Sequence, residues 1–316
     1  MSSLRHCPCS PPTASPLDLD DLLREILLRL PPQPSSLPRA SAVCKGWRLL
    51  VTDPRFLRRF RIHHRRSPPL IGFFIENILP CRDLSFEPTL ELPNHAPVKR
   101  FSLQPQDGGL FRFLSCRHGL VLIILRKRNK VLIWDPVTGN QRHIAVPPGF
   151  EMVLTSLMNG AVLHAAGDAR HFQVVLIGTY QEQQDTRVVA RVYSSETGLW
   201  GNVISTSVSS HTYICRAMRC VMVGNSLYWL LSEKSSGILE FDLDRESLTR
   251  IPVPLDIYAK GNGRFTVMRA EGGGLGFLFL SGYDAQLWNC KKDSDGVVSW
   301  ALTRNIQLGN LLSLKP

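Results

Sequence analysis

The sequence predicts an α+β multidomain chain, a small all-α module followed by an all-β, propeller-like domain that is incomplete as a ring. Three observations predict it. Apolar residues between Leu17 and Phe56 recur at three and four residue steps, the period of a helix. Beyond Pro68 they fall instead into short alternating or wholly apolar runs separated by Gly, Pro, Asn and Asp. Within that second region an aromatic position returns about every 50 residues, the spacing of a repeated unit of strands. The organisation this implies is a tail over 1–16, a helical module over 17–57, a basic connector over 58–68 and a β domain over 69–316.

The first helix is carried by Leu19, Leu22, Leu23, Ile26, Leu27 and Leu30, which line one broad stripe. Asp18, Asp20 and Asp21 near its start, with Arg24 and Arg29 towards its end, suit the helix dipole, and Pro31-Pro32 stops it. A second start signal follows at Ser36, read as a cap. Pro38 is tolerable in a first turn, and Leu37, Ala40, Val43, Trp47 and Leu50 repeat at helical spacing until Asp53-Pro54. A leucine stripe alone is the buried face of an ordinary helix. Some 40 residues this rich in apolar side chains are nevertheless too few to bury a sufficient core, so a partner surface completes the module.

The residue order closely resembles the F-box, through which substrate adaptors join cullin-based ubiquitin ligases. The matching blocks are Asp21 to Pro31, Ser36 to Ala40, Val43-Cys44-Lys45-Gly46-Trp47-Arg48 and Asp53-Pro54-Arg55-Phe56. Two departures are visible. Leu17-Asp18 stands where the family has Leu-Pro, and Gly46 replaces a larger residue; read as mid-helix, that glycine costs about 1 kcal/mol. The resemblance implies contact with a Skp-type adaptor, and through it a cullin, by Leu17, Leu22, Leu23, Ile26, Leu27, Leu30, Pro31, Leu37, Val43, Cys44, Trp47 and Leu50.

The chain has 316 residues and a net charge of +11, of which Arg55 to Arg66 supplies six arginines and Arg126 to Lys130 four more basic residues. The remainder is nearly neutral, which argues against a continuous polyanion-binding face and so against nucleic acid as a partner. Within Arg55 to Arg66 the apolar Phe56, Leu57, Phe60 and Ile62 can pack while the arginines stay wet, as in a solvated connecting helix; nuclear targeting or an acidic partner is the other reading. Eight cysteines are scattered without the close pairs a zinc site needs, which fits free thiols in a reducing compartment, cytoplasmic or nuclear. Met1 to Pro16 lacks a signal-peptide pattern, and runs such as Leu120 to Leu125 fall far below the roughly 20 residues of a membrane span.

In the β region, Leu70 to Ile75 and Gly109 to Ser115 read as strands of unassigned pairing. The repeat then emerges. Val131 to Trp134 with the turn Asp135-Pro136-Val137-Thr138-Gly139 is echoed by Arg191 to Gly198, and more weakly by Ile238 to Leu243 and Ala285 to Cys290. The recurring aromatics are Trp134, Tyr193, Phe241 and Trp288, and each copy has a strand before it, at Gly119 to Leu122, Gln173 to Leu176, Ser226 to Trp229 and Gly276 to Phe279. Each unit therefore makes a small antiparallel meander, with a sandwich as the alternative stacking. The Asp-Pro-x-Thr-Gly turn and the Leu-Tyr-Trp strand resemble the kelch-like β-propeller behind the F-box of many plant F-box proteins. Trp300 to Leu308 reads as a last strand, and no strand after it offers to close the first unit.

Motifs of catalysis do not assemble. Gly272-Gly273-Gly274 lacks the Lys-Ser or Lys-Thr and the helix of a phosphate loop, so it reads as a turn, as does Gly261-Asn262-Gly263. Asp242, Asp244 and Glu246 alternate like a calcium loop without its glycine or closing glutamate, and they too read as turn residues. Histidines 95, 118, 143, 164, 171 and 211 receive no role. The expectation is a non-catalytic substrate-recognition subunit without metal or cofactor, which holds the adaptor at one end and a protein target on the β domain. A non-ligase interaction module and a propeller enzyme are the alternatives.

Overall fold

The computed structural model describes residues 20–64, 68–77, 83–103, 111–150, 153, 158–165, 168–182, 185–232, 237–254, 263–293 and 297–311. The chain divides into two compact units, Met1–Leu103 and Gln104–Pro316. The predicted tail and Leu17 lie outside the described residues.

The first unit opens with four helices, α1 (Asp20–Leu28), α2 (Ser36–Ser41), α3 (Lys45–Thr52) and α4 (Pro54–His63). The apolar repeat from Leu37 to Leu50 is interrupted at Ala42 to Cys44, where Cys44 turns to extended backbone and its Sγ accepts the Trp47 amide at 3.5 Å. Gly46 consequently sits in the first turn of α3 and not mid-helix, and a β-carbon there would meet nothing closer than Cys44 Sγ at 3.8 Å. Its cost is smaller than the sequence suggests. Ser36 likewise is the first residue of α2 instead of its cap; the flanking Ser35 makes no side-chain cap bond. At α4, Asp53 accepts the Arg55 amide and Pro54 occupies the first turn, so the basic segment is a capped helix whose Phe56 and Phe60 are buried.

Strands β1 (Gly72–Asn77) and β2 (Asp83–Pro88) form an antiparallel hairpin in this same unit. Phe86 contacts Phe74 at 5.3 Å and stacks on Phe101 at 4.2 Å between ring centroids. Asn94 ties the segment after the hairpin to the helices, because its Oδ1 accepts the Ser35 amide and its Nδ2 donates to Gln33 Oε1. These bonds carry the unit beyond the composition change at Pro68-Pro69.

The second unit contains, among the described residues, four antiparallel sheets made from consecutive strands. They are β3 (Phe111–Arg117), β4 (Leu120–Leu125), β5 (Lys130–Trp134) and β6 (Gln141–Ala145); then β7 (Asn159–Ala165), β8 (Asp168–Glu182) and β9 (Asp185–Ser194), the last pairing with both β10 (Leu199–Trp200) and β11 (Ile204–Val208). The third sheet sets β12 (Tyr213–Ile214) and β13 (Val221–Val223) against β14 (Ser226–Ser232), followed by β15 (Gly237–Asp242) and β16 (Ser247–Pro252). The fourth runs β17 (Arg264–Arg269), β18 (Leu275–Ser281), β19 (Asp284–Lys292) and β20 (Val298–Gln307), with a short α5 (Leu308–Leu311) after it. Among the described residues β20 pairs with β19 and with no strand of the first sheet.

The four repeating aromatics share one structural position. Trp134, Tyr193, Phe241 and Trp288 all lie on the third strand of their sheets, opposite Val121, Val174, Leu227 and Phe277 of the second strand. The turn after that strand repeats too. Asp135 Oδ1 accepts the amides of Val137 and Thr138, and Asp242 Oδ1 accepts those of Asp244 and Arg245, so both carboxylates fold the chain back. Gly139 and Gly198 close their turns at φ 81° and 73°, a region open to glycine.

Sheets are stacked face to face through three apolar clusters. Val174, Leu176 and Val189 pack with Leu122, Ile124 and Ile133 between the first and second sheets. Val175, Ile177 and Ala190 pack with Leu227, Trp229 and Phe241 between the second and third. Tyr228, Ile238 and Ile251 pack with Phe265 and Phe277 between the third and fourth. The first strands of the first and second sheets, β3 and β7, meet a polar strap, the stretch from Cys215 to Cys220. Arg112 donates to the Arg216 carbonyl at 3.3 Å, Arg117 to the Cys220 carbonyl at 3.0 Å, and Asn159 Nδ2 to the carbonyls of Cys215 and Met218.

Candidate functional site

The helical unit supplies an apolar surface next to an apolar core, and the two are one helical step apart. Successive residues of a helix are rotated by about 100°, so Leu23 and Leu27 form one row and Leu22 and Ile26 the next. Leu27 is 1% exposed, whereas Leu22 is 42% and Ile26 39% exposed. The inner row packs with Leu28, Ala40, Val51, Phe56 and Phe60, and with the half-buried Leu30, Leu37, Trp47 and Leu50. The outer row faces solvent.

The predicted docking residues thus separate into two sets. Leu22, Ile26, Pro31, Val43 and Cys44 are exposed; Leu23, Leu27, Leu30, Leu37, Trp47 and Leu50 hold the module together. Leu49 was not foreseen and is 74% exposed, and Ile62, expected to pack with Phe56 and Phe60, is instead 62% exposed. Both fall off their helices' inward rows, and an apolar residue off the row is the signal that finds them.

Polar contacts fix how α1 meets α4. Arg59 pairs with Glu25 at 3.0 Å, and His64 Nε2 lies 2.9 Å from the Leu28 carbonyl at the end of α1. The ion pair is more than half exposed on both sides and adds at most about 1 kcal/mol. Its value is orientation. No group of three or more His, Cys, Asp or Glu side chains among the described residues is placed to hold a metal ion.

Residues 92–316 match the family described as F-box protein At3g26010-like, beta-propeller, and residues 17–59 match the F-box domain. The chain belongs to this family of F-box proteins. Similar Arabidopsis thaliana proteins include the putative F-box/kelch-repeat protein At3g17540, 25% identical over 73% of this chain and 57% of that protein. The putative F-box protein At3g16210 is 26% identical over 77% of this chain and 61% of its own length, and the F-box/kelch-repeat protein At3g23880 is 23% identical over 89% and 77%. The chain therefore spans about three fifths of the first two relatives. Among solved structures, dihydro-heme d1 dehydrogenase NirN in complex with DHE superposes with a TM-score of 0.42 at 14% identity, over 77% of this chain and 48% of that one. The F-box helices followed by a β-propeller domain are the architecture that the residue order predicts, and no helix among the described residues is long and apolar enough to cross a membrane.

Proposed function

We propose that this F-box protein is the substrate-recognition subunit of a Skp-cullin-F-box ubiquitin ligase, docking a Skp-type adaptor on the F-box and a protein target on the propeller. The observation that carries the reading is the solvent-facing Leu22 and Ile26 row on a helix whose neighbouring row already fills the module's core. Two apolar rows on one short helix exceed what the module buries by itself, and desolvating the outer row rewards a partner by roughly 25 cal/mol per Å². The chain's part in ubiquitin transfer is then proximity: it raises the target's local concentration beside a charged enzyme held by other subunits.

Co-purification with a Skp-type adaptor tests this. The intact chain is expected to capture the adaptor and the Ile26→Asp variant to lose it while keeping its helical circular dichroism. Equal capture by both would overturn the assignment.

A further inference from the structure

Four arginines converge where the strap lies along β3. Arg112, near the start of that strand, donates to the Arg216 carbonyl at 3.3 Å, and Arg117, at its end, donates to the Cys220 carbonyl at 3.0 Å, so the strap follows β3 for most of its length. Arg219 lies over the Phe113 ring, 4.6 Å from guanidinium carbon to centroid. Burial pushes the Cys220 thiol up, and the charges of Arg117 and Arg219 pull against it, so both guanidiniums stand near one sulfur. Arg216 and Ala217 are the exposed part of the strap.

The way these side chains are anchored keeps their charge. Carbonyls, a thiol and a ring fix the guanidiniums, and none of these groups is an anion. An arginine held by a carboxylate is positioned and neutralised at once; one held by a carbonyl is only positioned. Among the described residues neither Arg117 nor Arg216 pairs with a carboxylate, and β3, β7 and residues 213–223 contain no Asp or Glu. Arg117 commits one terminal nitrogen to the strap, and a guanidinium has five N–H donors, so donors remain on a half-buried group whose place is fixed. Like charges gathered on one strap repel one another, and an anion that comes among them relieves that repulsion. A cation is turned away, and a neutral group displaces the arginines' water without matching their charge. The chain outside its two basic runs is nearly neutral and offers no continuous track for a polyanion, so the guest is a short anionic stretch.

We propose that the strap of the propeller reads an acidic stretch of the protein target, whose carboxylate or phosphate oxygens accept from Arg216 and Arg117. The proposal rests on the reading of the propeller as the target-binding part, and its test separates the two. The full chain would be titrated into labelled nine-residue Gly/Ser peptides whose three central residues are Glu, phosphoserine, Gln or Lys, with fluorescence anisotropy as the readout. The wild type should bind the Glu or the phosphoserine peptide at least about tenfold tighter than the Gln and Lys peptides, and the tighter of the two names the oxyanion. Arg216→Gln, at an exposed side chain, should leave the melting temperature unchanged and weaken that binding about fivefold, the weight of one well-placed exposed ion pair. Arg304→Gln, on β20 of the fourth sheet, should change it less than about twofold. Raising the salt from about 0.1 to 1 M, which cuts the screening length from about 10 to 3 Å, should remove the preference. Equal binding of all four peptides, or equal losses from Arg216→Gln and Arg304→Gln, would overturn the inference. Adaptor capture from the same samples reads the helical unit by itself: its loss with the peptide preference intact removes the ligase reading alone, and its retention without any preference removes this inference alone.

Discussion

Ile26 and Leu27 are neighbours with opposite fates, and a single charge distinguishes them. Ile26→Asp should leave the melting temperature nearly unchanged and cut adaptor affinity by more than about 100-fold, because the charge is desolvated only in the complex. Leu27→Asp should instead unfold the helical unit, visible as lost helical circular dichroism before any partner is added. Replacing Arg58 with Gln should change adaptor affinity less than about twofold, since exposed charges contribute little to an apolar contact. At this scale the sequence was legible by halves. The helical period identifies Leu19 to Leu30 as apolar, but two adjacent apolar rows have the same period, and only packing against Phe56 and Phe60 decides which turns inward.

Among elements, the turns after the third strands carry the most readable chemistry. The amides of Arg245 and Asp244 donate to Asp242 and, with the nearby positive charges of Arg245 and Lys292, hold its carboxyl below the ordinary carboxylate range. A carboxyl whose folded pKa is depressed stabilises above its unfolded value, near pH 4, and that contribution is lost as pH falls through the lower folded value. Asp242→Asn should therefore flatten the fall of stability below about pH 4 in acid unfolding curves. Close sheet packing makes a second test. A β-carbon on Gly160 of β7 would stand 2.7 Å from the Val175 carbonyl oxygen and 3.3 Å from Leu122, so Gly160→Ala should cost about 1 to 3 kcal/mol in denaturant unfolding. The aromatics were legible because each repeats its place on a third strand. Helix ends were less so: the break at Cys44 depends on a thiol accepting an amide, which spacing does not encode.

Across the whole molecule, the propeller's interior is uneven. Val174 to Ile177 of β8 lie buried between two apolar clusters, whereas every residue of β20 is half-buried or exposed and the strand pairs with β19. Amide exchange should be slowest in β8 and fastest among the long strands in β20, read by mass spectrometry of the intact chain. Sheet order was legible from the repeat, because each sheet is built from neighbours in sequence. The strap from Cys215 to Cys220 was not, since its partners are Arg112, Arg117 and Asn159, far back along the chain. That distance has a consequence for synthesis. Arg117 is made 103 residues before the Cys220 carbonyl it holds. At roughly 5 to 20 residues per second on a ribosome, the bond waits on the order of 5 to 20 seconds for its acceptor. The first sheet can pair its own strands at once, but β3 is fastened to the strap only when the third sheet emerges, and a chaperone has that interval in which to act.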